Sequence, residues 1–329
     1  MAAQAMIELW RGGLLESVHA GHAVVWGPGG PEWVWGDGQA VIFPRSSCKM
    51  IQALPLVESG AADAAGLSPR QLALACASHS GAKLHTEAVT EWLSALGLGE
   101  PDLRCGAHVP RDPEAFRHFT CSEDKPCQIH NNCSGKHSGF LTLNKHLKAG
   151  PDYVEIDHPV QLAVRAAFED VTGAEVAGWG IDGCSAPNFA CSVAALARAM
   201  QFFAAANPEG TIREAAAARL AAAMRAFPEM VAGEGRACTK LMRATGGKVA
   251  VKTGAEGVFV AILPEQKRGI ALKILDGATR ASEAAITALL MHLGALAPDH
   301  PVVAELLPPE QTNWRGFVTG GMRRAQGFC

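Results

Sequence analysis

Strand-like stretches stand at both ends of this chain and helical spacing fills what lies between, which limits the fold more than any other feature. From Met6 to Val41, runs such as Ile7-Glu8-Leu9-Trp10 and Glu32-Trp33-Val34-Trp35 are separated by Gly12-Gly13, Gly27-Pro28-Gly29-Gly30 and Gly36-Asp37-Gly38, the punctuation of an antiparallel meander. Strand character returns over 248–252, 257–263 and 269–275, before a helix expected from Arg280 to Leu296. Between them, Ser68-Pro69-Arg70-Gln71 and the Thr211/Glu214 pair read as capping boxes, and Pro159 and Gly173 bracket a further helix. These signals predict an α+β fold in which N- and C-terminal strands share one largely antiparallel sheet sandwiched by helices. The chain reads as a single domain, 1–329, of two interleaved lobes, with a helical region about 45–245 set within strands 6–43 and 248–275. The stretch 100–133 reads as a long polar loop, and the Pro-rich tail as irregular.

The charge balance narrows the partners. With 29 basic and 32 acidic residues and no polybasic block, the chain has no electrostatic means of capturing nucleic acid or a membrane surface, so a small-molecule substrate is expected. The first residues lack a positive segment followed by an apolar one, which predicts a cytoplasmic location. In that compartment the 10 cysteines are expected to be reduced and mostly to pack as small apolar residues.

Two short motifs carry chemistry. Ser46-Ser47-Cys48-Lys49 puts a hydroxyl three residues before an amine at a strand-to-helix junction, so a helix starting at Ser46 sets both on one face. Serine becomes a nucleophile when a base removes its proton, and a lysine kept neutral by burial or by nearby positive charge is such a base. Its plain alternative is a capping serine beside an exposed lysine. Lys252-Thr253-Gly254, ending an apolar strand, is the second motif; Ser-x-x-Lys with Lys-Thr-Gly is the pairing of serine β-lactamases and penicillin-binding proteins. Their Ser-Asp-Asn element is missing, and Ser78-His79-Ser80-Gly81 stands as its replacement.

Two other segments are dense in reactive side chains. Asn131-Asn132-Cys133-Ser134-Gly135-Lys136-His137 resembles a site more than a core, although Cys-x-x-Lys is no ordinary zinc spacing, because lysine binds metal only when deprotonated. Asp182-Gly183-Cys184 brings a carboxylate and a further thiol. Asp182 is open to three readings: metal ligand, partner that orients a lysine, or turn former.

Taken in order, Arg45 to Lys49, Cys76 to Gly81, Asn132 to His137, Asp182 to Cys184 and Lys252 to Gly254 resemble the Rhizobium etli-type, or class 3, L-asparaginases across nearly the whole chain. The resemblance implies a serine β-lactamase/glutaminase-like fold with a helical lobe, a homodimer, and hydrolysis of L-asparagine to L-aspartate and ammonia. It also implies two catalytic tandems, Ser46 with Lys49 and Ser78 with Lys252, and a zinc ion held by Cys133, Lys136 and Cys184 with water completing its shell. Arg45, His137 and Asp182 are then the substrate-binding candidates, and Cys238 lies near the site unless it only packs. The competing expectations are a serine β-lactamase or D,D-carboxypeptidase-like acyl hydrolase, and a non-catalytic zinc-binding protein.

Overall fold

The computed structural model describes residues 2–329. It divides the chain into two compact units whose segments interleave along the sequence. One comprises the chain up to Ser47 together with Cys191–Ala205 and Lys240–Cys329; the other comprises Cys48–Ala190 and Ala206–Thr239.

The first unit is built on one sheet. Its strands are β1 (Gln4–Arg11), β2 (Leu14–Gly27) and β3 (Gly30–Trp35) from the N-terminal meander, and, with β4 (Val41–Ile42), β5 (Gly178–Ile181) and β6 (Pro187–Ser192) lying elsewhere, β7 (Ala250–Thr253), β8 (Val258–Leu263), β9 (Arg268–Ile274), β10 (Gln311–Thr312) and β11 (Val318–Arg324). The order is β10-β11-β1-β2-β9-β8-β7 with β3 attached to β2. Every pairing in it among the described residues is antiparallel, so the N- and C-terminal strands do share one sheet.

The continuous apolar run of β8 is buried at every position, as expected of a strand covered on both faces. The helix Val193–Ala205 lies against β2, β8 and β9, and the helix Thr279–His292 lies against β1, β8 and β9. Gly269 lets the first of these helices approach: a Cβ there would stand 2.1 Å from the Gln201 backbone nitrogen and 2.4 Å from the Ala197 oxygen. The tail is more regular than its composition suggests, with a helix at Pro301–Leu306 and the β10–β11 hairpin, and β11 pairs with β1 from Ile7↔Arg324 to Arg11↔Gly320. Val-Thr-Gly-Gly-Met-Arg-Arg shows no apolar alternation because Met322 is its one buried residue; pairing to β1, not patterning, makes it a strand.

The second unit is mainly helical. Ser68 and Gln71 cap the helix Pro69–Ala75 reciprocally, and Thr211 and Glu214 do the same for Ile212–Ala226. The helix Ser134–Leu147 opens where Asn131 Oδ1 takes the Cys133 N–H at 2.8 Å and organises the turn. Gly135 is required in its first turn, where a Cβ would meet Leu74 O at 2.4 Å. Within the expected long loop a helix forms at Pro113–Cys121, with Asp112 as its cap. Phe116 and Phe119 stand at helical spacing in it, yet none of its residues is buried. In this unit β5 pairs with β6 from Gly178↔Ala190 to Ile181↔Pro187; Cys191 and Ser192, on the other side of the chain crossing, pair with β4 in the first unit.

Candidate active site

The second unit holds seven of the predicted residues: Lys49, Ser78, Cys133, Lys136, His137, Asp182 and Cys184. Lys49 opens the helix Lys49–Gln52, behind a 3₁₀ turn at Arg45–Cys48, so the α-helix starts three residues later than expected. Its side chain is 1% exposed, and Nζ donates to Ala77 O at 2.5 Å, Ser78 Oγ at 3.1 Å and Cys133 Sγ at 3.0 Å, with Asn132 O at 3.5 Å. Lys49 is thus the amine on the Ser78 hydroxyl. Ser78 follows the end of the Pro69–Ala75 helix, where its own N–H donates to Val231 O at 2.9 Å.

A second amine sits beside the thiols. Lys136, in the first turn of the Ser134–Leu147 helix, donates from Nζ to Cys184 Sγ at 3.0 Å and lies over the Phe140 ring. Burial pulls its pKa down, yet the sulfur charges of Cys184 and Cys133 outweigh that and hold it above the ordinary lysine value. Cys133 and Cys184 are pushed in opposite directions: their mutual interaction, followed by burial, raises Cys133, while the same interaction and the Lys136 ammonium lower Cys184. The balance lies toward a Cys184 thiolate beside a Cys133 thiol, whose Sγ donates to Asn132 Oδ1 at 3.2 Å.

His137 and Asp182 flank this cluster differently. The His137 ring is fully buried with Nδ1 2.9 Å from the hydroxyl of Tyr153, the one tyrosine in the chain, and burial lowers its pKa to about 4. The Tyr153 hydroxyl also accepts the Arg104 N–H at 2.9 Å, a partnership that sequence reasoning missed and that the single tyrosine was the only signal for. Asp182 makes a turn, accepting the Gly183 N–H at Oδ1 and the Ser185 N–H at its carbonyl, and its half-buried carboxylate contributes to raising Lys136. Burial raises the Cys48 thiol to about 12 and Cys105 to about 12, so these two are packing residues. Cys238 is buried as well.

The first unit holds the remaining candidates. Arg45 takes φ 54, a left-handed conformation rare for a branched-free side chain with a Cβ, and half-buried Ser46 follows it in the 3₁₀ turn. Ser47 pins that turn through its hydroxyl to Pro44 O at 2.7 Å. Lys252, 1% exposed on β7, donates Nζ to Thr253 O at 2.8 Å. Gly254 brings this strand end against the serine turn, because a Cβ there would stand 2.6 Å from Pro44 O and 3.2 Å from Ser47 N. The contacts therefore join Lys49 to Ser78 within one unit, and the Ser46 turn to the end of the Lys252 strand within the other.

The ten cysteines, all among the described residues, form no disulfide. Among the described residues no three His, Cys, Asp or Glu side chains converge as a metal cage. The donor set that does converge is two thiols and an amine, all buried, with Lys136 and Cys184 in direct contact and Cys133 beside Cys184. Once deprotonated, those donors suit a borderline-soft cation such as zinc, so the residues fit the expected metal.

The family described as L-asparaginase II matches residues 7–324. The chain belongs to the L-asparaginase II family. It is an amidohydrolase of the asparaginase kind. No curated protein is similar enough to count as a relative. Among solved structures, Mglu in its native form is similar in fold over 89% of this chain and 69% of that chain, at 13% identity and a TM-score of 0.50. Weaker likenesses are a β-lactamase from Mycobacterium bovis (13% identity, 84% of this chain and 95% of that chain, TM-score 0.46) and a probable glutaminase from Bacillus subtilis (14%, 84% and 85%, TM-score 0.40). No helix among the described residues is long and apolar enough to cross a membrane.

Proposed function

We propose that the chain hydrolyses the side-chain amide of L-asparagine, releasing L-aspartate and ammonia through a serine acyl-enzyme. The observation that carries this reading is the buried Lys49 amine on the Ser78 hydroxyl at 3.1 Å, a basic side chain already in contact with an alcohol. In this reading Ser46 is the nucleophile and Lys49, with its amine neutral, takes the hydroxyl proton. The serine oxygen attacks the amide carbon, the C–N bond breaks, and the lysine returns the proton to the departing ammonia. Water then attacks the ester by the same base, releasing the carboxylate and restoring the serine. By the family resemblance Ser78 and Lys252 form the second tandem, with Ser78 as a proton relay between Lys252 and Ser46 or as the nucleophile itself.

Arg45, His137 and Asp182 are proposed as substrate-side groups, Arg45 by a charged hydrogen bond to the substrate carboxylate and the other two by shaping its surroundings. Cys133, Lys136 and Cys184 would hold zinc. When bound, the zinc supplies a positive charge that anchors and organises the substrate, weakened as a Lewis acid by two thiolates. The family resemblance also supports a homodimer.

Three measurements test the reading. Ser46→Ala should abolish ammonia release from asparagine, and acid-quenched wild-type protein should carry an acyl adduct on the peptide containing Ser46; an adduct on Ser78 instead would reassign the nucleophile. Elemental analysis of Cys133→Ser and Cys184→Ser should show metal loss, and full retention in both would remove the zinc assignment. Light scattering should give a dimer mass.

A further inference from the structure

His79 is buried, 1% exposed, and every polar atom of its ring has a partner whose role is fixed. Nδ1 accepts the Gly81 N–H at 3.2 Å, so in the neutral ring that nitrogen carries no proton. The ring hydrogen is then on Nε2, 2.9 Å from Ser134 Oγ. Ser134 spends its own hydrogen on Ile129 O at 2.8 Å and is left to accept from His79. Reversing the tautomer would set two donors against each other at Nδ1 and two acceptors at Nε2. Burial, with His85 stacked on the ring at 4.8 Å, keeps the imidazole uncharged.

The two segments tied by this ring are the ones that hold Lys49. On one side, Ala77 O and Ser78 Oγ accept from the Lys49 amine, and His79 is the next residue. On the other side, Cys133 Sγ and Asn132 O face the same amine, and Ser134 is the next residue. The His79 N–H adds a second tie, to Asn132 O at 3.2 Å. The gap in which the amine sits is therefore set by one imidazole in one tautomer.

We infer that His79 is a positioning residue for amide hydrolysis: its Nε2–H to Ser134 Oγ bond holds segments 77–78 and 132–133 at the separation that keeps the Lys49 amine on Ser78. The inference rests on the proposed asparaginase reading, and its test separates the two. Nitrogen NMR of the imidazole, which needs no turnover, should report a bare Nδ1 and a protonated Nε2; a protonated Nδ1 overturns the inference whatever the activity. In kinetics, His79→Leu should lower kcat by about 10–10²-fold, the scale of an ångström of misplacement, with KM within about twofold. His79→Gln, whose amide N–H falls where Nε2 stands, should recover most of that loss. Ser134→Ala should reproduce the Leu defect, and the double variant should be no worse than either single one. Additive losses, a change confined to KM, or Gln no better than Leu would each overturn it. Wild-type protein that releases no ammonia from asparagine would refute the functional reading and leave the tautomer result standing as the test of His79.

Discussion

At the scale of single residues, chemistry is concentrated in groups whose ordinary solvation has been removed. Lys49 has exchanged water for two carbonyls, a hydroxyl and a thiol, which fix its amine against the Ser78 hydroxyl. Lys49→Met keeps the length of the side chain and removes the amine, so ammonia release from asparagine should fall by about 10²–10⁴-fold while the far-ultraviolet circular dichroism is kept. Activity within a fewfold of wild type would eliminate Lys49 as the base. A second prediction concerns pH. His79 and His85 are both held below the usual histidine value, by burial first, and for His79 then by the neighbouring His85. In the unfolded chain each titrates near about 6.5, so below that pH the unfolded state binds protons that the folded state refuses. Stability should be complete above that pH and be lost as pH falls from there toward each ring's lower folded-state value, at no more than about 1.4 kcal/mol per pH unit for each ring. Urea midpoints at pH 7, 6 and 5 measure the slope, and His85→Phe should flatten part of it; a wild-type midpoint that holds steady down to pH 5 contradicts the assignment. The Ser46 and Lys49 pair was legible as a spacing. That Lys49 meets Ser78 was not, since residues 29 apart are joined only by the packing of the Pro69–Ala75 helix end.

At the scale of elements, the pattern-bearing pieces were legible and the partner-made pieces were not. The capping boxes at Ser68 and Thr211, the meander glycines and the apolar run of β8 announce themselves because their stabilising contacts are local or their burial is uniform. The Pro113–Cys121 helix and β11 escaped notice because the first buries nothing and the second depends on β1 for its hydrogen bonds. Glycines mark the tightest joints between elements. Gly269→Ala would force a methyl into the backbone of the Val193–Ala205 helix at 2.1 Å, where no side chain can rotate away. Overpacking a joint of this kind costs about 1–3 kcal/mol and occasionally more, so the substitution should lower the denaturant midpoint by a corresponding amount. Gly29→Ala, with nothing within 4 Å of its Cβ, is the matched control. Equal midpoints for the two variants would mean that the helix does not bear on β9 at that point.

At the scale of the whole molecule, the sheet shared by both chain ends was legible, because strand patterning at the two termini leaves few other ways to bury both. The exact crossings were not legible, since they depend on which helix covers which surface. The chain leaves one unit for the other after Ser47, Ala190, Ala205 and Thr239, so no contiguous stretch contains the helical unit and nothing else. Residues 48–239 would carry the Val193–Ala205 helix without β2, β8 and β9, the strands it covers. Nine of that helix's residues are buried, among them Leu196, Met200 and Phe203, and without the sheet they form an exposed apolar stripe. The 48–239 fragment should therefore aggregate or lose its near-ultraviolet circular dichroism. The same fragment with 191–205 replaced by a Gly/Ser linker should elute as a compact species, because every remaining segment belongs to one unit. A monomeric 48–239 fragment with a cooperative urea transition would show that this helix does not need its sheet. The division of the chain would then say less about how it folds than about how it is connected.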